Sequence, residues 1–163
     1  MRPLARCSVA VLLLSTSGAS LAAQRVATPL DGAWRHVRTE VVTPDSSHQR
    51  PALQGLIVYS GRHYSQVWVN PRPSGVQQAS QPTTAEEKAA RYDVLSANAG
   101  TFELQDTLIT IRVEQAKNPR VAGTTRVGTY RIKGDTAWFV FLDPWAKDST
   151  KTVRTTIINV RAR

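Results

Sequence analysis

A succession of short segments, each alternating apolar and polar residues and each closed by a turn signal, constrains this chain more than anything else in it. Alternation with period two marks a strand with one buried face. It is clearest over residues 108–115, where Ile109, Ile111 and Val113 alternate with Thr110, Arg112 and Glu114. The first segment, 33–42, opens with Gly32-Ala33-Trp34. Runs at 56–59 and 63–69 flank the turn Ser60-Gly61-Arg62, which is a hairpin signal. Further strand patterns fall at 102–104, 124–133, 136–142 and 151–160, with turns at Gln105-Asp106 and Gly134-Asp135. Residues 43–51, 70–82 and 143–148 read as loops from their Pro, Ser, Asp and Gln content.

About eight strands joined mostly by short turns fit a sandwich or an up-and-down barrel. Antiparallel strands joined in order close readily into a barrel, and closure removes both sheet edges. The expected fold is therefore an all-β, eight-stranded up-and-down antiparallel barrel with one short helix inserted. Thr84 with Glu87 three residues on makes a capping box, and helix formers continue to Ala97. Ala85, Ala89 and Tyr92 share one face, and Asn98 and Gly100 end the pattern.

Residues 1–23 read as a signal peptide. Arg2 and Arg6 supply a basic start, residues 8–14 an apolar core, and either Ser20-Leu21-Ala22 or Leu21-Ala22-Ala23 a small-residue exit. The apolar run is far below the roughly 18 residues that span a bilayer. Residues 24–163 then form one barrel domain, exported to the periplasm or secreted. Cys7 is the only cysteine and would leave with the leader, so neither a disulfide nor thiol chemistry serves the mature fold. Loss of Arg2 and Arg6 lowers the formal charge from +9 to +7. The remaining cations are scattered, with no run of five or more, which argues against nucleic acid. An excess of this kind suits solubility, or peripheral contact with an anionic envelope surface.

Several motifs, in order, give the chain a family resemblance. Leu30-Asp31-Gly32-Ala33-Trp34 matches an opening Leu-x-Gly-x-Trp, and residues 55–65 match a Gly-x-Ile-x-Tyr hairpin. Ala116-Lys117-Asn118-Pro119 with Gly123-Thr124 matches a break after the long central strand, and Ile132-Lys133-Gly134-Asp135 a late hairpin. The chain thus resembles the bacterial lipocalin-like domain proteins among the calycin barrels. That resemblance implies a barrel with one open end and an apolar interior. It implies, too, that Trp34 plugs the closed end with an arginine of the last strand across its ring, either Arg161 or Arg163.

Two questions of register stay open in the sequence. If period two continues inward from Trp34, His36, Arg38 and Glu40 face the interior. If a bulge follows Trp34, Val37 turns in and those three face solvent. Opposite them, Tyr59, Ile109, Ile111, Val113, Tyr130, Phe139 and Phe141 are expected to line the interior. An eight-stranded barrel is wide enough either to be filled by side chains or to hold one small ligand. The main functional expectation is a small, largely apolar ligand, with any anionic group meeting Arg38 or Arg112. The alternative is a packed barrel acting as a protein- or glycan-interaction module. A barrel enzyme would need His36 and Glu40 to face each other or a third group in the cavity. No nucleophile elbow, phosphate loop or metal-ligand spacing occurs, so no catalytic residue, metal or cofactor is expected. Trp68 and Trp145 are expected at the barrel rim.

Overall fold

The computed structural model describes residues 27–70 and 83–163. The leader and nearly all of the 70–82 loop lie outside the described residues. Nine strands and one helix follow in order: β1 (Gly32–Val42), β2 (Ser47–Arg50), β3 (Gln54–Ser60), β4 (His63–Val69), α1 (Ala85–Val94), β5 (Leu95–Gln105), β6 (Leu108–Ala116), β7 (Thr125–Lys133), β8 (Thr136–Trp145) and β9 (Asp148–Arg161). From β3 onward each strand pairs antiparallel with the next, and β9 pairs back onto β1, which in turn pairs with β3. Eight strands therefore make a closed barrel.

β2 is the addition to the expected set. It forms a hairpin with the far end of β1, from Thr39↔Arg50 to Val42↔Ser47. Its residues Ser47-His48-Gln49-Arg50 are all exposed, so no apolar alternation announces it. It uses the edge of β1 that β3 leaves free, since β3 pairs only with Gly32, Ala33 and Trp34.

Two other boundaries differ from expectation. The helix ends at Val94, not Ala97, and β5 begins at Leu95. From there the backbone pairs with β4, Val69↔Leu95 through His63↔Thr101. A sheet ladder on a closed barrel outweighs the few tenths of a kcal/mol per residue that separate helix formers from the rest. The capping box at the other end is formed: Thr84 Oγ1 accepts from Glu87 N, and a Glu87 carboxylate oxygen accepts from Thr83 N and Thr84 N. Those bonds hold the Glu87 carboxyl below its ordinary pKa. The 143–148 loop is also mostly strand, because β8 runs on to Trp145 across a bulge after Pro144.

Alternation decides the inside. Ile109, Ile111 and Val113 of β6 turn inward, as do Phe139 and Phe141 of β8 and Tyr59 of β3. Leu30, Trp34, Phe102, Ile109 and Asn159 are fully buried. The Tyr59 ring meets Phe102 edge-on at 5.0 Å and stacks on Phe139 at 6.3 Å, which ties β3, β5 and β8 together across the interior.

Candidate functional site

The two ends of the barrel are built differently. One end holds the start of β1, the β3–β4, β5–β6 and β7–β8 turns and the end of β9. Here Trp34 is fully buried and its Nε1–H donates to Leu30 O at 2.7 Å. The Arg161 guanidinium lies 4.4 Å from the Trp34 ring centroid. It also donates to Asp31 O at 2.9 Å and Pro29 O at 3.0 Å, so it stitches the last strand to the lead-in of the first. The Asp31 carboxylate accepts from Thr28 Oγ1 and Gly61 N, both at 2.9 Å, which fixes the lead-in against the β3–β4 turn. Arg163 instead reaches Asp135, at 3.4 Å.

β1 then carries the bulge that settles its register. His36 pairs with Asn159 and Arg38 with Ile158, so Val37 is the extra residue. The bulge falls one pleat later than the solvent-facing alternative requires. His36 accordingly stays inside with Trp34, while Thr39 and Val41 take the inner positions beyond it, beside Ile157 and Thr155. Arg38 and Glu40 are thrown to the outer face, where they pair with each other at 2.8 Å. An inward row of His36, Arg38 and Glu40 is thus corrected to His36 alone. His36 and Glu40 lie on opposite faces of β1 and do not face each other. Arg112 also lies on the outside of β6, in alternation with Ile111 and Val113. Neither Arg38 nor Arg112 can meet a ligand in the interior.

Both ring nitrogens of His36 are engaged. Nδ1 accepts from Leu53 N–H at 2.9 Å, which assigns the ring hydrogen to Nε2, and Nε2 then donates to Thr39 Oγ1 at 2.8 Å. Burial lowers its pKa below the ordinary 6.5, so it is a neutral structural ring near neutral pH. The Trp68 ring sits 5.5 Å away, centroid to centroid. Gly55 faces Trp68 in the β3–β4 ladder at a φ of +139°, and a Cβ there would come within 2.0 Å of Val67 O, so only glycine lets β3 approach β4 this closely.

Between His36 and the far end lies a cavity of about 210 Å³. Its apolar wall is Ile57, Tyr59, Ile111, Val113, Phe139, Phe141 and Ile157. Of the expected interior residues, Tyr59, Ile111, Val113, Phe139 and Phe141 line it. Ile109 and Tyr130 also belong to the interior but pack outside the cavity, Ile109 fully buried and Tyr130 partly so. The interior is therefore filled toward the Trp34 end and hollow beyond it.

The polar lining was not legible in the sequence. Tyr64, Gln66, Trp68, Asn98, Arg126 and Asn159 all line the cavity. Tyr64 is 5% exposed and Asn159 2%. The Tyr64 hydroxyl, the Trp68 indole N–H and the Asn159 side-chain oxygen are buried without a hydrogen-bond partner among the described residues. Burial, together with the negative charge of Glu114, pushes the Tyr64 hydroxyl up to about 12, so it keeps its proton. Arg126 is half-exposed, stacks 4.0 Å from the Phe141 ring and forms an ion pair with Asp143. Trp68 thus belongs to the cavity wall, whereas Trp145 lies half-buried beneath Lys147 and Lys151. Of the histidines, His48 and His63 are exposed, and no group of three or more His, Cys, Asp or Glu that could hold a metal occurs among the described residues.

A closed eight-stranded barrel, sealed at one end and hollow beyond, belongs to the ligand-binding barrels. The sequence profile of the family described as the lipocalin-like domain matches residues 31–160, and the chain belongs to that family. No curated protein and no solved structure matches it.

Proposed function

We propose that this is an exported barrel that holds one small, largely apolar molecule in the cavity beyond His36. The observation that carries this reading is the 210 Å³ space with its aromatic and aliphatic wall. Apolar walls with a few placed polar groups are the usual lining of small-molecule sites. The volume sets the scale of the ligand, since an apolar cavity of about 150 Å³ takes up benzene. The occupant is then a single ring with short substituents. The cation beside it is Arg126, not Arg38 or Arg112.

Trp68 in the cavity wall gives a direct readout. Titration with toluene should change tryptophan fluorescence saturably, and Trp68→Phe should remove that change. Native mass spectrometry should show one bound molecule per chain. No saturable signal and no bound mass across a panel of single-ring compounds would overturn the reading. Export rests on the basic start, apolar core and small-residue exit of residues 1–23. Mass analysis of the protein from the cell envelope should find a new N-terminus near Gln24, and a chain retained in the cytosol with Met1 would overturn it.

A further inference from the structure

Three polar atoms in the cavity wall make opposite demands on whatever fills it. Asn159 Oδ1 accepts, Trp68 Nε1 donates, and the Tyr64 hydroxyl does either. Trp68 and Asn159 both neighbour His36: the Trp68 ring is tilted against it at 5.5 Å, and Asn159 faces it in the β1–β9 ladder. His36 offers them nothing, because both of its nitrogens are already taken. Buried polar atoms left unpaired cost more than the net gain of an ordinary hydrogen bond. Such atoms at the surface of a cavity define what its occupant should carry.

We infer that the cavity selects a neutral, single-ring molecule bearing a hydroxyl group, whose O–H and oxygen complement the unpaired atoms of Asn159, Trp68 and Tyr64. This rests on the reading of the cavity as a ligand site and adds the chemistry of the ligand. A hydroxyl donates one hydrogen bond and accepts others, so it answers an acceptor and a donor together. A hydrocarbon of the same shape leaves all three atoms unpaired. A carboxylate has no hydrogen to give and leaves Asn159 Oδ1 facing an anion. The one cation in the cavity wall among the described residues, Arg126, is already paired with Asp143, so it offers a carboxylate little compensation. The ring itself has Tyr59, Phe139 and Phe141 to pack against.

Three near-isosteric probes separate these cases: p-cresol, toluene and p-toluate, titrated calorimetrically into the purified protein at pH 7. The expected result is p-cresol bound at least about tenfold tighter than either of the others, the factor that one well-made hydrogen bond supplies. Tyr64→Phe removes one polar atom with little change of shape, Asn159→Leu replaces both polar atoms of the amide by methyl groups, and Trp68→Phe removes the indole N–H together with the pyrrole ring. At least one of them should reduce the preference for p-cresol over toluene below threefold, with toluene affinity held within threefold of the parent. Equal binding of toluene, tighter binding of p-toluate, or a tenfold preference that survives in all three variants would overturn the inference while leaving the cavity a ligand site. If none of the three probes binds the parent protein, the reading of the cavity as a ligand site falls as well.

Discussion

Trp34 is fully buried and Trp68 half-buried in the barrel, and their indole N–H groups are treated in opposite ways. Trp34 gives its N–H to Leu30 O, carries Arg161 on its face, and sits against a lead-in whose Asp31 carboxylate is itself bonded twice. The Trp68 N–H is buried with no partner among the described residues, and so are the Tyr64 hydroxyl and the Asn159 side-chain oxygen of the same cavity wall. Satisfied polar groups around Trp34 and unpaired ones in the cavity wall divide the barrel between stability and, on the proposed function, recognition. The sealed end holds the sheet closed. The cavity wall holds the unpaired groups, which the proposed ligand would meet.

The largest effect should come from breaking the sealed end. Trp34→Ala removes a fully buried ring, the hydrogen bond to Leu30 O and the seat of Arg161. A loss of about 3–5 kcal/mol is expected from the ring alone. Urea unfolding of the variant should show the midpoint lowered with an unchanged slope. A loss below about 1 kcal/mol would mean that the two ends do not differ as described.

Removing an unpaired polar atom from the cavity wall should have the opposite sign. Tyr64→Phe deletes a buried hydroxyl that has no partner, so the ligand-free protein should gain on the order of 1 kcal/mol of stability. Paired melts with and without p-cresol sharpen the comparison, since the variant gains in the free state and loses in the bound one. A variant less stable than its parent without ligand would show that the hydroxyl is satisfied after all.

Between the ends, His36 gives the barrel a pH dependence. Its folded pKa lies below the ordinary 6.5 because the ring is buried, and a proton on Nδ1 would displace the Leu53 N–H bond. The unfolded chain therefore takes up a proton before the folded one does. Stability should be level in this contribution above about pH 6.5 and fall as the pH drops below it, down to the lowered folded value. His36→Gln should flatten that part of the profile, as followed by denaturant midpoints from pH 7.5 downward. An undiminished slope in the variant would assign the effect to another group.

The sequence made the strands legible because period two is a physical consequence of one buried face. Ile109, Ile111 and Val113 could be placed inside with no further information, and the lead-in motif marked Trp34. What it hid has physical reasons. β2 has four exposed polar residues and is held only by backbone pairing to β1, so nothing in its side chains marks it. The turnover at Leu95 is decided by a partner strand distant in sequence. The cavity's polar lining comes from β4, β5, β7 and β9, and Tyr64, Trp68 and Asn159 become a set only when the barrel closes. A single extra residue, Val37, shifts Arg38 and Glu40 from one face to the other, and no local pattern distinguishes Val37 from an ordinary strand valine.

That one-residue shift supplies the smallest and most diagnostic test. Arg38 and Glu40 pair with Ile158 and Thr156 in the β1–β9 ladder, and the side chains of Arg38 and Glu40 remain 45% and 33% exposed. An ion pair in such a position contributes about 0.2–1 kcal/mol, and salt screens it. Arg38→Ala and Glu40→Ala should each therefore cost no more than about 1 kcal/mol, and less at high salt. Neither should alter p-cresol affinity by more than twofold, because the barrel wall stands between the pair and the cavity. A tenfold loss of binding in either variant would mean that period two runs unbroken from Trp34. The polar row would then face inward, and the division between a sealed end and a hollow one would have to be redrawn around Arg38.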